Sequence, residues 1–449
     1  MERVKRETIE KLVGMDYYGV NQSGIGGVYK FRYKDFVVKE ITREGRILEI
    51  KEDISKPTFN PNHKYTRFNV TKVERDTIEV AKIIAKTLNV PLNHVTYSGL
   101  KDHRAITVQE MSVKGDAIDK LKEFKKRNIF VRAFRSSKFK LTLGDNWGNN
   151  FSIIVRNIED DGKIEKRLAL IKSDLENYGV PNYYGLQRFG IYRPNSHIIG
   201  KYIILKQYKE AVEEFLMRIF PVETYEKIET RKTIEEIVEY SKSFDQIPRQ
   251  FDYEKSMIEY LIESDYDYKG SLLKLPIDLL SLLISAYQSY LFNKAISERM
   301  RMGYSVYNPV VGDLIGLLDE EMGHLTHVKY LYDKKLKKHL DKAIKLKRAT
   351  IISPIVGYDT DLNPKFLMAK IYEKIMQEEG ISKEIFDVSD FVDLDYHGTY
   401  RSISLKPRGF VVRFVEDDEL NPGKKKVRIE FDLEKGTYAT IIIRELLKQ

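Results

Sequence analysis

The stretch GLKDHRAITVQ, Gly99 to Gln109, places one carboxylate, Asp102, between Lys101 and the pair His103 and Arg104. Two chemistries fit that arrangement. Asp102 can be a turn residue or helix cap after a glycine that lets the backbone turn, solvated among ordinary surface charges. It can instead be a carboxylate that neighbouring cations keep ionised, and such a group serves as a nucleophile or a general base at neutral pH. Residue types alone leave both open. Two other constellations lead no further. His324 and His327 in HLTH share a helix face, but no third ligand accompanies them, and a zinc site takes three or four. SGIGG at Ser23 lacks the lysine and the serine or threonine of a phosphate-binding loop. No metal and no nucleotide cofactor are expected.

The elements that must position Asp102 follow from the apolar pattern. Alternation from about Val28 to Ile50, with FVVKEI at Phe36, follows a glycine-rich turn and predicts strands. DTIEVAKIIAKTLNV then spaces Ile78, Val80, Ile83, Ile84 and Leu88 as a helix, with Pro91 marking its stop. Strand signals return at ITVQEMSV and at NNFSIIVRNI from Asn149, and a helical pattern runs from Lys163 to Asn177. An aromatic loop, PNYYGLQRFG, follows. Between about Lys201 and Glu384 the chain reads as mainly helical and highly charged, with breaks near Pro309 and Pro354. The tail reverts to strands at GFVVRFVE and KVRIEFDLE, after which Thr437 can cap a helix, YATIIIRELLK. A helical block between strand-rich ends predicts an α+β fold whose sheet is begun by residues 1–195, interrupted by an insertion over 196–390, and completed by 391–449.

Composition narrows the partners. The 449 residues carry 76 lysines and arginines against 67 acidic residues, a net charge of +9, which favours a polyanion such as nucleic acid. The absence of cysteine removes disulfides, thiol nucleophiles and thiolate zinc sites. The opening MERVKRETIEKLVGMDYYG has no uninterrupted apolar region of the kind a signal peptide needs. PIDLLSLLISAYQSYLFNKAI, interrupted by Asp278, Ser281, Ser285, Gln288 and Asn293, reads as a buried helix rather than a membrane span. A soluble, cytoplasmic protein with no membrane partner is expected.

GLKDHRAITVQ resembles the signature of the TruD family of tRNA pseudouridine synthases, G-x-KD-x-x-A-x-T-x-Q, whose aspartate is the essential catalytic residue; Asp102 falls at that place. PNYYGLQRFG is similar to the family's second motif, with Asn182 at its asparagine and Tyr184 where bacterial members usually carry phenylalanine. YKFRYKDFVVKEI resembles the segment K-x-x-x-x-DF-x-V-x-E and supplies Lys30, Asp35, Phe36 and Glu40. Weaker matches at Gly148, Ala286, Gly357 and Lys435 extend the resemblance in order along nearly the whole chain. The resemblance implies an antiparallel-sheet catalytic domain built from both chain ends, an inserted mainly helical domain, and isomerisation of uridine to pseudouridine in tRNA, usually at position 13. It implies Asp102 as the catalytic carboxylate, paired with a cation for which Lys30, Lys101 and Arg104 are candidates and Lys30 is favoured. Phe36 and Tyr184 are the candidate stacking faces for an extruded base, and Asn182 either reads the uracil edge or orders the loop. Two readings stand beside it: an RNA-binding protein without chemistry, and a hydrolase of N-glycosidic bonds in RNA. Two basic runs, from Lys120 and from Lys334, could grip phosphates, though a solvated face explains such runs as well.

Overall fold

The computed structural model describes residues 6–54, 57–240 and 247–448. Its principal sheet contains β1 (Phe36–Ile41), β2 (Tyr65–Val73), β3 (Val95–Tyr97), β4 (Ile106–Lys114), β5 (Ile129–Ser137) and β6 (Gly148–Glu159). A two-residue strand, β7 (Val180–Pro181), follows, and then a smaller sheet of β8 (Leu314–Leu318), β9 (Leu325–Leu331), β10 (Ala349–Ile355) and β11 (Thr399–Ser402). The chain ends with β12 (Ser404–Leu405), paired to β7, and with β13 (Arg408–Asp417) and β14 (Lys424–Glu434), which return to the principal sheet. Its order is β13-β14-β6-β1-β4-β2-β5, with β3 on β4. Strands from both chain regions therefore form one α+β core, as expected from the alternating patterns. β14 lies close against β6: a Cβ at Gly148 would meet the Leu433 carbonyl oxygen at 2.0 Å.

One pairing departs from the antiparallel expectation. β1 and β4 run parallel, with Val37 opposite Ile106. A parallel pair needs a crossover, and here β2, the helix Thr77–Leu88 and β3 provide it. The helix is capped by Asp76, whose side chain accepts from the amides of Ile78 and Glu79, and is ended by Asn89 in the left-handed conformation, two residues before Pro91.

Register assigns the faces. Phe36 lies opposite Ile153, and Ile153 opposite Ile429; Val38 lies opposite Phe151 and Thr107; Gln109 lies opposite Val70. Opposed residues share a face, so these side chains all point to one side. Over one half of that side the helix Thr77–Leu88 buries Val80, Ile84 and Leu88 against Phe68, Val70 and Met111. Over the other half the helices Ile164–Asn177 and Ala439–Leu447 belong to the cluster of Phe36, Val38, Phe151, Ile153 and Phe431. The outward side carries polar residues such as Lys39, Ser152 and Arg428, as a half-solvated sheet does.

The segment read as mainly helical holds β8, β9 and β10 as well as helices, and Pro354 lies inside β10 rather than at a helix break. A short apolar run such as LIGLL has no period that separates strand from helix. The long apolar segment forms the 25-residue helix Ile277–Arg301, with Ala286, Phe292 and Ile296 in one core and Leu283, Tyr287 and Leu291 in another. It is the spine between the two. Among the described residues no helix is long and apolar enough to cross a membrane. Thr437 does not cap the last helix: its hydroxyl donates to the Glu434 carbonyl, and Tyr438 occupies the cap position without a side-chain bond.

Candidate active site

The parallel pair explains how two distant motifs meet. Lys30 precedes β1 and Asp102 precedes β4, so both lie at the same ends of neighbouring strands. The Lys30 ammonium donates to Asp102 Oδ1 at 2.6 Å. It also lies 4.0 Å from the centroid of the Phe36 ring. The side chains of Lys30 and Asp102 are 17% and 27% exposed, so the pair is sheltered but reachable. Lys30 has a φ of 55°, in the left-handed region.

The other charges are committed elsewhere. Lys101 is buried and forms a 2.7 Å ion pair with Glu40 Oε2. Glu40 also accepts from the Ser98 hydroxyl at 2.8 Å and from the Glu110 amide at 3.0 Å. Arg104 donates to the Phe31 carbonyl at 3.1 Å. Both charged residues of KD are thus paired with the two ends of the Lys30 to Glu40 segment. Asp35 receives two bonds from Arg156, at 2.9 and 3.0 Å, which anchors the turn before β1. Gln109 bridges the Thr77 hydroxyl and the Gly99 carbonyl, each at 3.1 Å, and ties the start of the loop to the helix Thr77–Leu88. Gly99 itself is not in the left-handed region, and a Cβ there would meet only ordinary contacts, the nearest at 3.5 Å. A sharp turn at this glycine, expected from the sequence, is absent.

Lys72, which sequence reasoning missed, completes the loop. It is fully buried, and its ammonium donates to the carbonyls of Arg75, Lys101 and Asp102 at 2.7, 3.2 and 2.7 Å. Burial pushes its pKa down to about 8, against the opposing pull of the Asp102 and Asp76 carboxylates.

Asn182 and Tyr184 form a second group. The Asn182 amide donates to the Ser402 carbonyl at 2.8 Å, and its oxygen accepts from Arg401 at 2.8 Å. The Arg401 guanidinium lies 4.3 Å over the Tyr184 ring and donates to the Gly436 carbonyl at 2.7 Å. Tyr184 meets Phe292 and Tyr438 edge-on at 5.6 and 6.1 Å. Burial lowers the Arg401 pKa, with no carboxylate among its causes. Phe36 lies in the apolar cluster against which Tyr184 packs, but among the described residues no hydrogen bond or ring contact joins the Asn182–Tyr184 group to Asp102. Phe36 is 1% exposed and meets Phe151 edge-on, so its ring supports Lys30 and presents no open face. His324 bonds the Trp147 carbonyl and stacks on the Trp147 ring. Among the described residues no group of three or more metal-ligating side chains occurs.

The sequence model of the family described as tRNA pseudouridine synthase D (TruD) matches residues 12–446. The chain belongs to the TruD family. A Methanosarcina mazei protein named "Probable tRNA pseudouridine synthase D" is 30% identical, covering 98% of this chain and 97% of its own. Its namesake from Methanosarcina acetivorans is 31% identical over 100% of this chain and 98% of its own. A crystal structure from Methanosarcina mazei, described as that of the "Putative tRNA pseudouridine synthase D (TruD)", superposes with a TM-score of 0.81 at 30% identity, covering 99% of both chains. TruD membership over this span favours an isomerase acting on tRNA over a pure RNA binder or a hydrolase.

Proposed function

We propose that this TruD protein isomerises uridine to pseudouridine in tRNA, at position 13, with Asp102 as the catalytic carboxylate. The observation that carries the proposal is the Lys30–Asp102 pair, set over the inward face of the sheet at the matched ends of β1 and β4. The reaction breaks the bond between C1′ and N1, turns the base, and joins C1′ to C5; a proton leaves C5 and one is gained at N1. There is no net redox change. A single ionised carboxylate is sufficient, either as nucleophile or as the base that takes the 2′ proton. Lys30 holds the anion in place, and Phe36 supports the Lys30 stem and ammonium. Tyr184, only partly buried, is the stacking partner for the base in this reading, and Asn182 orders the loop through Ser402 and Arg401.

Residues 1–195 and 391–449 supply the catalytic sheet in this reading, and 196–390 form an inserted domain that holds RNA against it, with β11 reaching across to β10. The basic run from Lys334, exposed on the helix Lys337–Lys345, is a phosphate grip. The enzyme works in the cytoplasm. Asp102→Asn should abolish pseudouridine formation in a tRNA transcript, read by mass-shift detection, while leaving tRNA affinity within a few-fold. Near-normal turnover would refute the assignment, and free uracil from the wild type would point to a hydrolase.

A further inference from the structure

We infer that Lys72 is a positioning residue for the reaction: its buried ammonium fixes the peptide that carries Asp102, and its charge as well as its bulk is required. The inference rests on Asp102 being the catalytic carboxylate. Lys72 sits on β2 at the position where the alternation Phe68, Val70 calls for another apolar side chain, and it points inward with them. A buried cation is costly unless its hydrogens are satisfied. Here all three have acceptors, and all three acceptors are backbone carbonyls. Two belong to Lys101 and Asp102 themselves, so the ammonium grips the backbone of the loop, while Lys30 holds the Asp102 carboxylate.

The charged groups facing Lys72 are few. Asp76 stands at the start of the helix Thr77–Leu88, and Asp102 and Lys101 stand on the loop; the two carboxylates raise the amine's pKa and Lys101 lowers it. Burial outweighs them and brings the pKa to about 8. A neutral amine keeps two hydrogens and turns a lone pair toward the third carbonyl oxygen, so one bond becomes a repulsion. Because the folded pKa lies below the ordinary value, the three-bond clamp is complete below about pH 8 and is lost as pH rises through it. A side chain that merely filled space would give no such limb.

The test is single-turnover pseudouridine formation at saturating enzyme, from pH 6.5 to 9.5, for the wild type, Lys72→Met and Lys72→Arg, with tRNA affinity and circular dichroism alongside. The wild-type rate should fall with a midpoint near pH 8. Lys72→Met should be slower by about 10- to 150-fold at pH 7, the range for a lost hydrogen bond between charged and neutral partners, with affinity changed little and the limb gone. Lys72→Arg, charged throughout, should recover part of the rate and move the limb upward. Titration of the substrate base affects all three enzymes alike and cannot produce those differences. A folded Lys72→Met enzyme within threefold of wild type, or a limb that stays put in Lys72→Arg, overturns the inference. If neither variant folds, the wild-type profile decides, and a rate flat from pH 7 to 9 overturns it. An inactive Asp102→Asn with an unimpaired Lys72→Met would refute the role of Lys72 alone, whereas an active Asp102→Asn would refute the catalytic assignment beneath it.

Discussion

Replacing Lys30 by methionine removes one ammonium and leaves a stem of similar length over Phe36. The ammonium is 2.6 Å from Asp102 and 4.0 Å from the Phe36 centroid, with the paired side chains 17% and 27% exposed. At that exposure solvent screens the pair, so its full low-dielectric attraction cannot be counted. Treated as a hydrogen bond to a charged group, it contributes about 1.5–3 kcal/mol. At about 1.36 kcal/mol per decade, losing it should slow a single turnover by about 10- to 150-fold. The assay mixes excess enzyme with a tRNA transcript, quenches over time and counts pseudouridine. Lys30→Gly separates chemistry from stability. The native φ of 55 costs an ordinary side chain about 1–2 kcal/mol, which glycine does not incur. That variant should therefore lose rate as methionine does while melting within a few degrees of wild type. A Lys30→Met enzyme within threefold of wild type would show that the anion does not depend on this cation, and the reasoning from the 2.6 Å pair would be wrong.

Tyr184→Phe should keep most activity, and Tyr184→Ala should lose about 5- to 150-fold in single-turnover rate, since base stacking contributes about 1–3 kcal/mol; equal losses would move the role to the hydroxyl. Changing Lys334, Lys335, Lys337 and Lys338 together to glutamine should flatten the salt dependence of tRNA binding by about one unit of slope per lost phosphate contact, with chemistry on bound RNA intact. An unchanged slope would leave that run a solvated face. Acid should unfold the protein through carboxylates held below their ordinary range. Burial raises the pKa of Glu379, but bonds from Lys201 and Lys294 bring it to about 2; burial likewise raises that of Asp418, but the Asn157 amide, Asn421 and Arg156 bring it to about 2. Their contribution is present above the unfolded values near 4 and is lost as pH falls toward 2, so melting temperature measured against pH should drop across that window, and less steeply in Glu379→Gln.

Lys30, Glu40, Lys101 and Asp102 stand out through the family resemblance, and the structure joins them in two pairs, Lys30 with Asp102 and Glu40 with Lys101. Their meeting was not legible as geometry, because it depends on a parallel pairing of strands some seventy residues apart, and nothing local to FVVKEI or ITVQEMSV specifies that neighbour. Lys72 left a trace that alternation could have found, a lysine at an apolar position of an otherwise alternating strand. Arg401 left none; its role arises from Asn182, Tyr184 and Gly436, which the fold gathers from separate segments. Phe36 is a candidate stacking face through the family resemblance, but its place in the alternation of β1 sends it into the core under Lys30. The smaller sheet was hidden in a charged, helix-rich block because its strands are short and one of them, β9, is largely exposed.

The way β14 closes the sheet has a consequence for biosynthesis. β6 finds its partner 265 residues downstream, with Glu159 opposite Lys424. At about 5–20 residues per second a ribosome needs roughly 13–53 s to supply that partner. Throughout that interval β6 presents an edge of unpaired backbone N–H and C=O groups, the kind that recruits strands from other chains. The nascent chain must wait with Lys30 and Asp102 already made and the sheet beneath them unfinished. Arg444 and Glu445, which bond Glu10, Gly19 and Val20, emerge later still. Synthesis of β14 and the helix Ala439–Leu447, rather than emergence of the loop that carries Asp102, is thus the event that allows the enzyme to assemble.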